Sequence, residues 1–161
     1  MSKILLLLEG FTEQKFIEII LAPHFQPLNV FLIPTILRTK RNPDGTVYKG
    51  GIIPYKRIKR EVTLLLGDSS AQLVSTMFDF YALSDDFPGQ ETLPFPSLLQ
   101  RATFLEQKFQ EDINDPRFFP YFQVPEFESL LFVNPDELAN HFALSRRERA
   151  ELHDIRSSFS T

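Results

Sequence analysis

The sequence predicts an α/β fold with a mostly parallel β-sheet and helices on both faces of that sheet. Three apolar segments of strand length, residues 3–8, 30–36 and 73–79, alternate with segments whose apolar residues recur at helical spacing. The first segment is apolar without a break from Ile4 to Leu8, which is typical of a central parallel strand buried on both faces. Strands that alternate with helices favour a parallel sheet joined by right-handed crossovers.

The first half of the chain begins with the strand at residues 3–8, followed by a helix that starts near Thr12. Ala22 and Pro23 are expected to end this helix, because proline has no backbone N–H and its ring clashes with the preceding turn. The second strand, residues 30–36, contains Pro34, so we expect it to be short or to lie at an edge of the sheet.

The second half predicts a helix from Pro54 to about Gly67, a strand at residues 73–79, a helix over residues 96–113 and a strand at residues 118–124. Residues 126–132 are expected to be helical, and two short helices end the chain. The residues expected to be buried on the two longer helices are Ile58, Val62, Leu65 and Leu66 on the first, and Leu98, Leu99, Phe104, Leu105 and Phe109 on the second.

The composition indicates a single α/β domain, which we place at residues 1–133, with a C-terminal helical extension over residues 134–161 packed on it. The chain has 161 residues, 43% of them hydrophobic, which is enough for a substantial core. It has no cysteine, which excludes disulfides and thiolate metal sites. The apolar run from Ile4 to Leu8 is too short for a membrane span or a signal peptide, so we expect a cytoplasmic protein with no membrane partner.

Two acidic residues stand directly at the ends of predicted strands. Glu9 follows the first strand, and Asp79 ends the strand at residues 73–79. The carboxyl ends of parallel strands meet at one edge of a sheet, where α/β proteins place their ligands. If these two strands are neighbours, both carboxylates reach one hard divalent cation such as Mg²⁺ or Mn²⁺. The alternative is that each acid caps the helix or turn that follows it.

Further acids are candidates for the same site. Glu13 lies one helical turn beyond Glu9, either as a neighbouring acid that supports the metal ligands or as a residue that complements the helix dipole. Asp85, next to Asp86 in a predicted loop, is a candidate ligand whose alternative is a solvated loop acid. Glu126 and Glu128 lie in an apolar, aromatic stretch, where acidic side chains need partners or a metal, and at least one of them is expected at the site.

Basic residues are concentrated between positions 38 and 60. The chain has a net charge of −4, yet this segment holds eight basic residues and only one acid, Asp44. Such a segment is either a solvated face or a surface that follows the phosphates of DNA or RNA. The residues that we expect to contact nucleic acid are Lys49, Lys56, Lys59 and Arg60.

An ordered series of motifs resembles a known fold family. The segment from Leu8 to Glu13 resembles the Glu-Gly-x-Thr-Glu opening of Toprim-like domains, the fold shared by topoisomerases, primases and overcoming-lysogenization-defect nucleases. Within that fold, the sequence is similar to one bacterial family, called domain of unknown function 4276. The motifs that carry this similarity span residues 4–132 and are Gly50-Gly51 with Tyr55, Thr76 to Leu83, Asp86-Phe87-Pro88-Gly89, Pro120-Tyr121-Phe122-Gln123, and Glu126 to Phe132.

The resemblance implies a function, although the sequence departs from the family pattern at two positions. By analogy with Toprim domains, Glu9 and Asp79 bind Mg²⁺ and act in phosphoryl transfer, as in a nuclease. The second aspartate of the Toprim pattern is Tyr81 here, which we place beside the metal ligands, and Pro125 stands where relatives often have a histidine. Relatives continue with more helices, so the chain is expected to be a shortened version or a fragment.

The resemblance also implies a partner, and it leaves alternatives open. The family's genomic association with ATPases implies an ATPase partner and a role in anti-phage defence. One alternative is a catalytically inactive Toprim-like module that binds or regulates that ATPase. A further alternative is a small enzyme that acts on nucleotides.

Overall fold

The computed structural model describes residues 1–37, 53–92, 96–124 and 127–158, with the side chains of Glu128 and Leu131 left out. Contacts divide the chain into two compact units, Met1–Pro125 and Glu126–Thr161. This division falls at a different residue from the expected boundary after residue 133, and that boundary stays a prediction.

In its described residues, the first unit contains a parallel sheet of five strands. These are β1 (Ser2–Leu8), β2 (Val30–Ile36), β3 (Leu73–Asp79), β4 (Phe118–Phe119) and β5 (Phe122–Gln123). The order across the sheet is β2-β1-β3-β4, and β5 also pairs with β3. All of these pairs are parallel, which confirms the predicted fold class. The strand that contains Pro34 lies at the edge, as predicted, because proline cannot donate a hydrogen bond to a further strand.

The helices of the first unit are α1 (Phe11–Phe16), α2 (Ala22–Phe25), α3 (Tyr55–Leu66) and α4 (Leu98–Ile113). A π-helical turn, Ile17–Leu21, joins α1 to α2, and a 3₁₀ turn, Gln26–Leu28, follows α2. The expectation that Pro23 ends the first helix is wrong, because the π-helical turn lets the helix continue through it. A π-helical turn widens the backbone just before the proline, so the ring avoids the clash that breaks an α-helix.

Phenylalanine rings dominate the main core of this unit. Leu5 and Leu7 of β1 and Ile58 and Val62 of α3 belong to this core, together with several rings in edge-to-face contact. On α4 the buried residues are Ala102, Leu105 and Phe109. The expectation for the start of α4 is wrong: Leu98 and Leu99 are 45% and 68% exposed. They occupy the first turn of the helix, before its buried face meets the core.

The predicted strand at residues 118–124 is interrupted, because Pro120 has no N–H to donate to a β-ladder. Thr76, a buried residue of β3, occupies the gap with its hydroxyl group. Its Oγ1 donates to the carbonyl oxygen of Tyr121 at 3.1 Å and accepts from the N–H of Tyr121 at 3.0 Å. The spacing is unchanged across the break, since Ser75 pairs with Phe119 and Phe78 pairs with Phe122. One side chain therefore replaces the missing backbone hydrogen bonds.

The second unit consists of a 3₁₀ segment (Phe127–Val133) and two helices, α5 (Pro135–His141) and α6 (Arg146–Ser158). A capping box is present at the start of α6, where Glu148 accepts from the N–H and hydroxyl of Ser145 at 2.8 and 2.6 Å. Arg149 joins the two helices by donating to Asp136 at 2.8 Å. In neither unit does a described helix combine the length and apolar character that a membrane span requires.

We expect Thr76→Val to destabilise the first unit by about 1–3 kcal/mol, because it leaves the partly buried N–H and C=O of Tyr121 without their partner. The shape of the side chain is nearly unchanged, so packing contributes little to the loss. Urea unfolding measures the effect, and Ser75→Ala, which removes only a weak 3.4 Å hydrogen bond, is the matched control. Equal stability of the two variants would contradict the bridging role of Thr76.

Candidate metal centre

Glu9 and Asp79 lie at the carboxyl edge of two neighbouring strands. β1 ends at Leu8, which is the register partner of Met77 in β3. Glu9 is therefore the first residue beyond β1, and Asp79 is the last residue of β3. The adjacency of the two strands, on which the predicted metal site depended, is present in the structure.

Glu9 has an unfavourable environment for a negative charge. Burial is the largest cause that raises the pKa of its carboxyl group, and the charge of Asp79 raises the pKa further. A hydrogen bond from the backbone of Asp79 acts in the opposite direction, and the charge of Glu13 adds a smaller increase. Three carboxyl groups thus interact at this edge of the sheet, and a bound cation would relieve their mutual repulsion.

Glu13 brings a carboxylate oxygen that lacks a partner. It lies in the first turn of α1, whose N-cap is Gly10. Its Oε2 is buried, and no hydrogen-bond partner is found for it among the residues that the structure describes. A Cβ added to Gly10 would lie only 3.1 Å from that oxygen, so the carboxylate folds back closely over the glycine. A buried carboxylate oxygen without a partner is costly, which makes it a sign of a missing cation or water.

A small cavity opens beside Glu9. Its volume is about 10 Å³, close to the space that one water molecule needs. Among the described residues, the side chains that line it besides Glu9 are all apolar: Leu37, Ile53, Ile58, Phe78, Ala82 and Leu83. The Glu9 carboxyl group therefore has apolar side chains on one side and the other acids near it.

The residues present fit a hard divalent cation. The donors are carboxylate oxygens, and the buried free oxygen of Glu13 lies with them. No group of three or more His, Asp or Glu side chains that could hold a metal by itself occurs in the described ranges. Mg²⁺ commonly takes one or two protein carboxylates and completes its shell with waters and substrate phosphates. Glu9 and Asp79 are the residues that would hold such an ion, with Glu13 beside them.

Two other predicted residues lie in the segment that follows Asp79. Asp85 is exposed and is not among the charges that raise the pKa of Glu9, so its role as a ligand stays a prediction. Tyr81, which the resemblance to Toprim domains predicts beside the metal ligands, lies in the 3₁₀ turn Phe80–Ala82 and is 55% exposed.

The remaining predicted site residues divide into two groups. Lys49, Glu126 and the side chain of Glu128 fall outside the described part of the structure, so their assigned roles stay predictions. The other three lie on α3: Lys56 and Arg60 are exposed, whereas Lys59 forms an ion pair with Asp112 at 2.8 Å.

Asp86 has a structural role that the sequence analysis did not assign. Both of its carboxylate oxygens lie within hydrogen-bonding distance of the N–H of Tyr55, at 3.1 and 3.2 Å, at the first residue of α3. The Ser84 hydroxyl and then this N–H lower the pKa of Asp86. Because Pro54 at the N-cap has no side-chain hydrogen bond, α3 is capped from a distant loop instead. The missing cap before α3 was the only signal in the sequence.

Gln123 is a second residue that the sequence analysis missed. It is the register partner of Asp79 in the pair of β3 with β5, and it is 5% exposed. The hydroxyl of Tyr121 donates to its Oε1 at 2.9 Å. A buried amide next to Asp79 at the same sheet edge is a candidate for positioning that carboxylate. Its place at the end of the predicted strand 118–124 was the available signal.

These features define an α/β protein with a parallel sheet and acidic residues at its carboxyl edge. The sequence of residues 8–161 matches the family described as Domain of unknown function (DUF4276), and the chain belongs to that family. The comparisons found no match among curated proteins and none among solved structures.

We expect Asp86→Asn to destabilise the protein at pH 7 by about 1 kcal/mol, the usual cost of losing a helix cap. The hydrogen bonds lower the pKa of Asp86 in the folded state, so its stabilising contribution is present above the pKa of the unfolded chain. That contribution is lost as the pH falls through the folded-state pKa, and the difference between variant and wild type should shrink in acid. Urea unfolding at pH 7 and pH 3 measures this, with Asp85→Asn as the neighbouring control. A difference that grows in acid would contradict the cap.

Proposed function

We propose that the protein is a divalent-metal-dependent phosphodiesterase that hydrolyses nucleic acid. The observation that carries the proposal is the group of carboxylates at the ends of β1 and β3. The pKa of Glu9 is raised there by burial, by Asp79 and by Glu13, and Glu13 has a buried oxygen without a partner. Such a group is costly to hold without a cation, and acidic clusters of this kind are common at catalytic metal sites.

The resemblance to Toprim domains supports the same chemistry. The glutamate after the first strand and the first aspartate of that pattern correspond to Glu9 and Asp79, which end neighbouring parallel strands. A parallel α/β sheet is consistent with that fold. Tyr81 at the second aspartate position favours one metal ion over two.

In the proposed hydrolysis, the acids at the sheet edge have two different roles. Glu9 and Asp79 would hold Mg²⁺, which supplies Lewis acidity and offsets the charge of the scissile phosphate. The free Oε2 of Glu13 is suited to accept a hydrogen bond from the attacking water. The water oxygen forms the new bond to phosphorus, its proton passes to a carboxylate or to solvent, and the bond from phosphorus to the leaving oxygen breaks. The leaving oxygen takes up a proton from solvent.

Cleavage assays test the proposal directly. We expect the purified protein with Mg²⁺ or Mn²⁺ to cleave DNA or RNA oligonucleotides, and Glu9→Gln to lower the rate by about 100-fold or more, because it removes a charged ligand. Glu111→Gln, which changes an exposed acid paired with Lys108, is the control and should retain activity. Cleavage at the wild-type rate by Glu9→Gln would remove Glu9 from the mechanism.

Thermal unfolding tests the metal site independently of activity. A metal at about 100 times its Kd stabilises the folded state by about 2.7 kcal/mol, which raises Tm by roughly 5–10 °C. We expect Glu13→Gln to make this increase smaller. Without metal at pH 7 it should raise Tm instead, because it removes a charge that repels ionised Glu9.

The increase in Tm that we expect for Glu13→Gln without metal depends on pH, because the pKa of Glu9 is raised in the folded state. Its raised pKa means that ionised Glu9 lowers stability as the pH rises through the folded-state value. The gain from Glu13→Gln should therefore disappear in acid, where Glu9 is protonated. A variant that lowers Tm both with and without metal would show that Glu13 is structural.

The second candidate is a non-catalytic module that binds or regulates an ATPase. The exposed Tyr81 at the second aspartate position favours it, since this side chain is not an acidic metal ligand. Calorimetric titration with Mg²⁺ separates the candidates, because a module without the metal site gives no binding heat at millimolar metal. The ATPase partner and the role in anti-phage defence rest on the family resemblance alone.

A further inference from the structure

We infer that an open groove on α3 binds the sugar–phosphate backbone of the nucleic acid, through Lys56, Arg57 and Arg60 and without Lys59. This inference rests on the proposed function. The groove has a volume of about 590 Å³ and is lined by Pro54, Lys56, Arg57, Arg60 and Glu61. Among its described lining residues, three cationic side chains stand against one acidic side chain, a positive surface on an acidic protein.

The three cations of the groove are available to a ligand. No ion pair within the described residues involves Lys56, Arg57 or Arg60. Lys56 and Arg60 are one helical turn apart, so their side chains follow each other along the same side of α3, about 6 Å apart along the helix axis. Arg57 extends the positive surface around the helix. Cations spaced along a helix suit a chain of phosphates better than one small anion.

Lys59 is a different case, although it belongs to the same basic run. Its Nζ donates to Oδ2 of Asp112 at 2.8 Å and lies 3.3 Å from the carbonyl oxygen of that residue. The hydroxyl of Tyr55 donates to the same Asp112 oxygen. Lys59 therefore ties α3 to the end of α4, and it does not line the groove. The structure assigns to Arg57 the contact that the sequence analysis gave to Lys59.

The groove is held near the candidate metal centre by one helix. Ile58 of α3 lines the cavity beside Glu9, and its neighbours Lys56 and Arg57 line the groove. The groove and the cavity lie on different sides of α3, because Lys56 and Arg60 are each two residues from Ile58, about 200° around the helix. Asp86 fixes the start of α3, and the ring of Phe87 meets that of Tyr55 at 4.9 Å. The groove thus has a fixed position relative to the acids.

Salt-dependent binding tests the inference without catalysis. Labelled single-stranded and duplex oligonucleotides are titrated with protein in EDTA, so that no cleavage occurs, and log K is plotted against log salt concentration. Each lost phosphate contact lowers the slope by about 0.9 for duplex DNA and about 0.7 for a single strand. We expect Arg57→Gln to lower the slope by one such step and Lys59→Gln to leave it at the wild-type value.

The outcomes separate this inference from the proposed function. Equal slope changes in the two variants, or a wild-type slope in Arg57→Gln, would overturn the groove assignment. Lys56→Gln and Arg60→Gln, which change exposed residues, repeat the test if Arg57→Gln fails to fold. Binding with the expected slopes but no cleavage with Mg²⁺ or Mn²⁺ would support the groove and overturn the hydrolase. Cleavage with Mg²⁺ or Mn²⁺, together with wild-type salt slopes in the groove variants, would support the hydrolase and overturn the groove.

Discussion

The parallel pairing of β1 with β3 is the constraint on which the candidate metal centre depends. It aligns Leu8 with Met77, so that both strands end at one edge and their following acids come together. Between these two strands along the chain lie the edge strand β2 and the helix α3. A shift of one residue in this register would send the side chains of one strand to the other face. The chemistry proposed for the site therefore depends on a backbone property that the apolar residues of the two strands enforce.

The acidic edge is unfavourable for stability, and the core beside it offsets that cost. Burial and like charges raise the pKa of Glu9, which means that ionised Glu9 works against folding. Next to it, Leu7 of β1, Val74 of β3 and Val62 of α3 are completely buried. The loop after β3 adds directed interactions, through Asp86 to α3 and through the arginine–amide pair of Arg101 and Gln90 at 2.6 Å. A well-packed core beside a cluster of mutually repelling carboxylates is the arrangement expected where a functional site lowers the stability of the fold.

The sequence predicted the parts of the structure that follow from local pattern. The strands at residues 30–36 and 73–79 have the predicted bounds, and Glu9 and Asp79 share an edge because apolar runs and crossover rules determine where strands end. The errors arise from a local irregularity of the helical backbone and from tertiary contacts. Pro23 is tolerated because of a π-helical turn, and the strand after Phe118 is bridged by a threonine 45 residues away. The roles of Asp86 and Lys59 depend on partners 31 and 53 residues distant, which no local spacing encodes.

Gly10 shows that the requirements of folding and of chemistry can differ at one position. Its backbone is extended, a conformation open to any amino acid, so the fold itself does not demand glycine. The steric restriction comes from Oε2 of Glu13, which would lie 3.1 Å from a Cβ added at Gly10. This oxygen belongs to a flexible side chain that can rotate away. A chain with alanine here would keep its architecture, while the Glu13 carboxylate would have to move by a few tenths of an ångström. An inherited alanine would thus alter the geometry of the acidic edge without a penalty in folding.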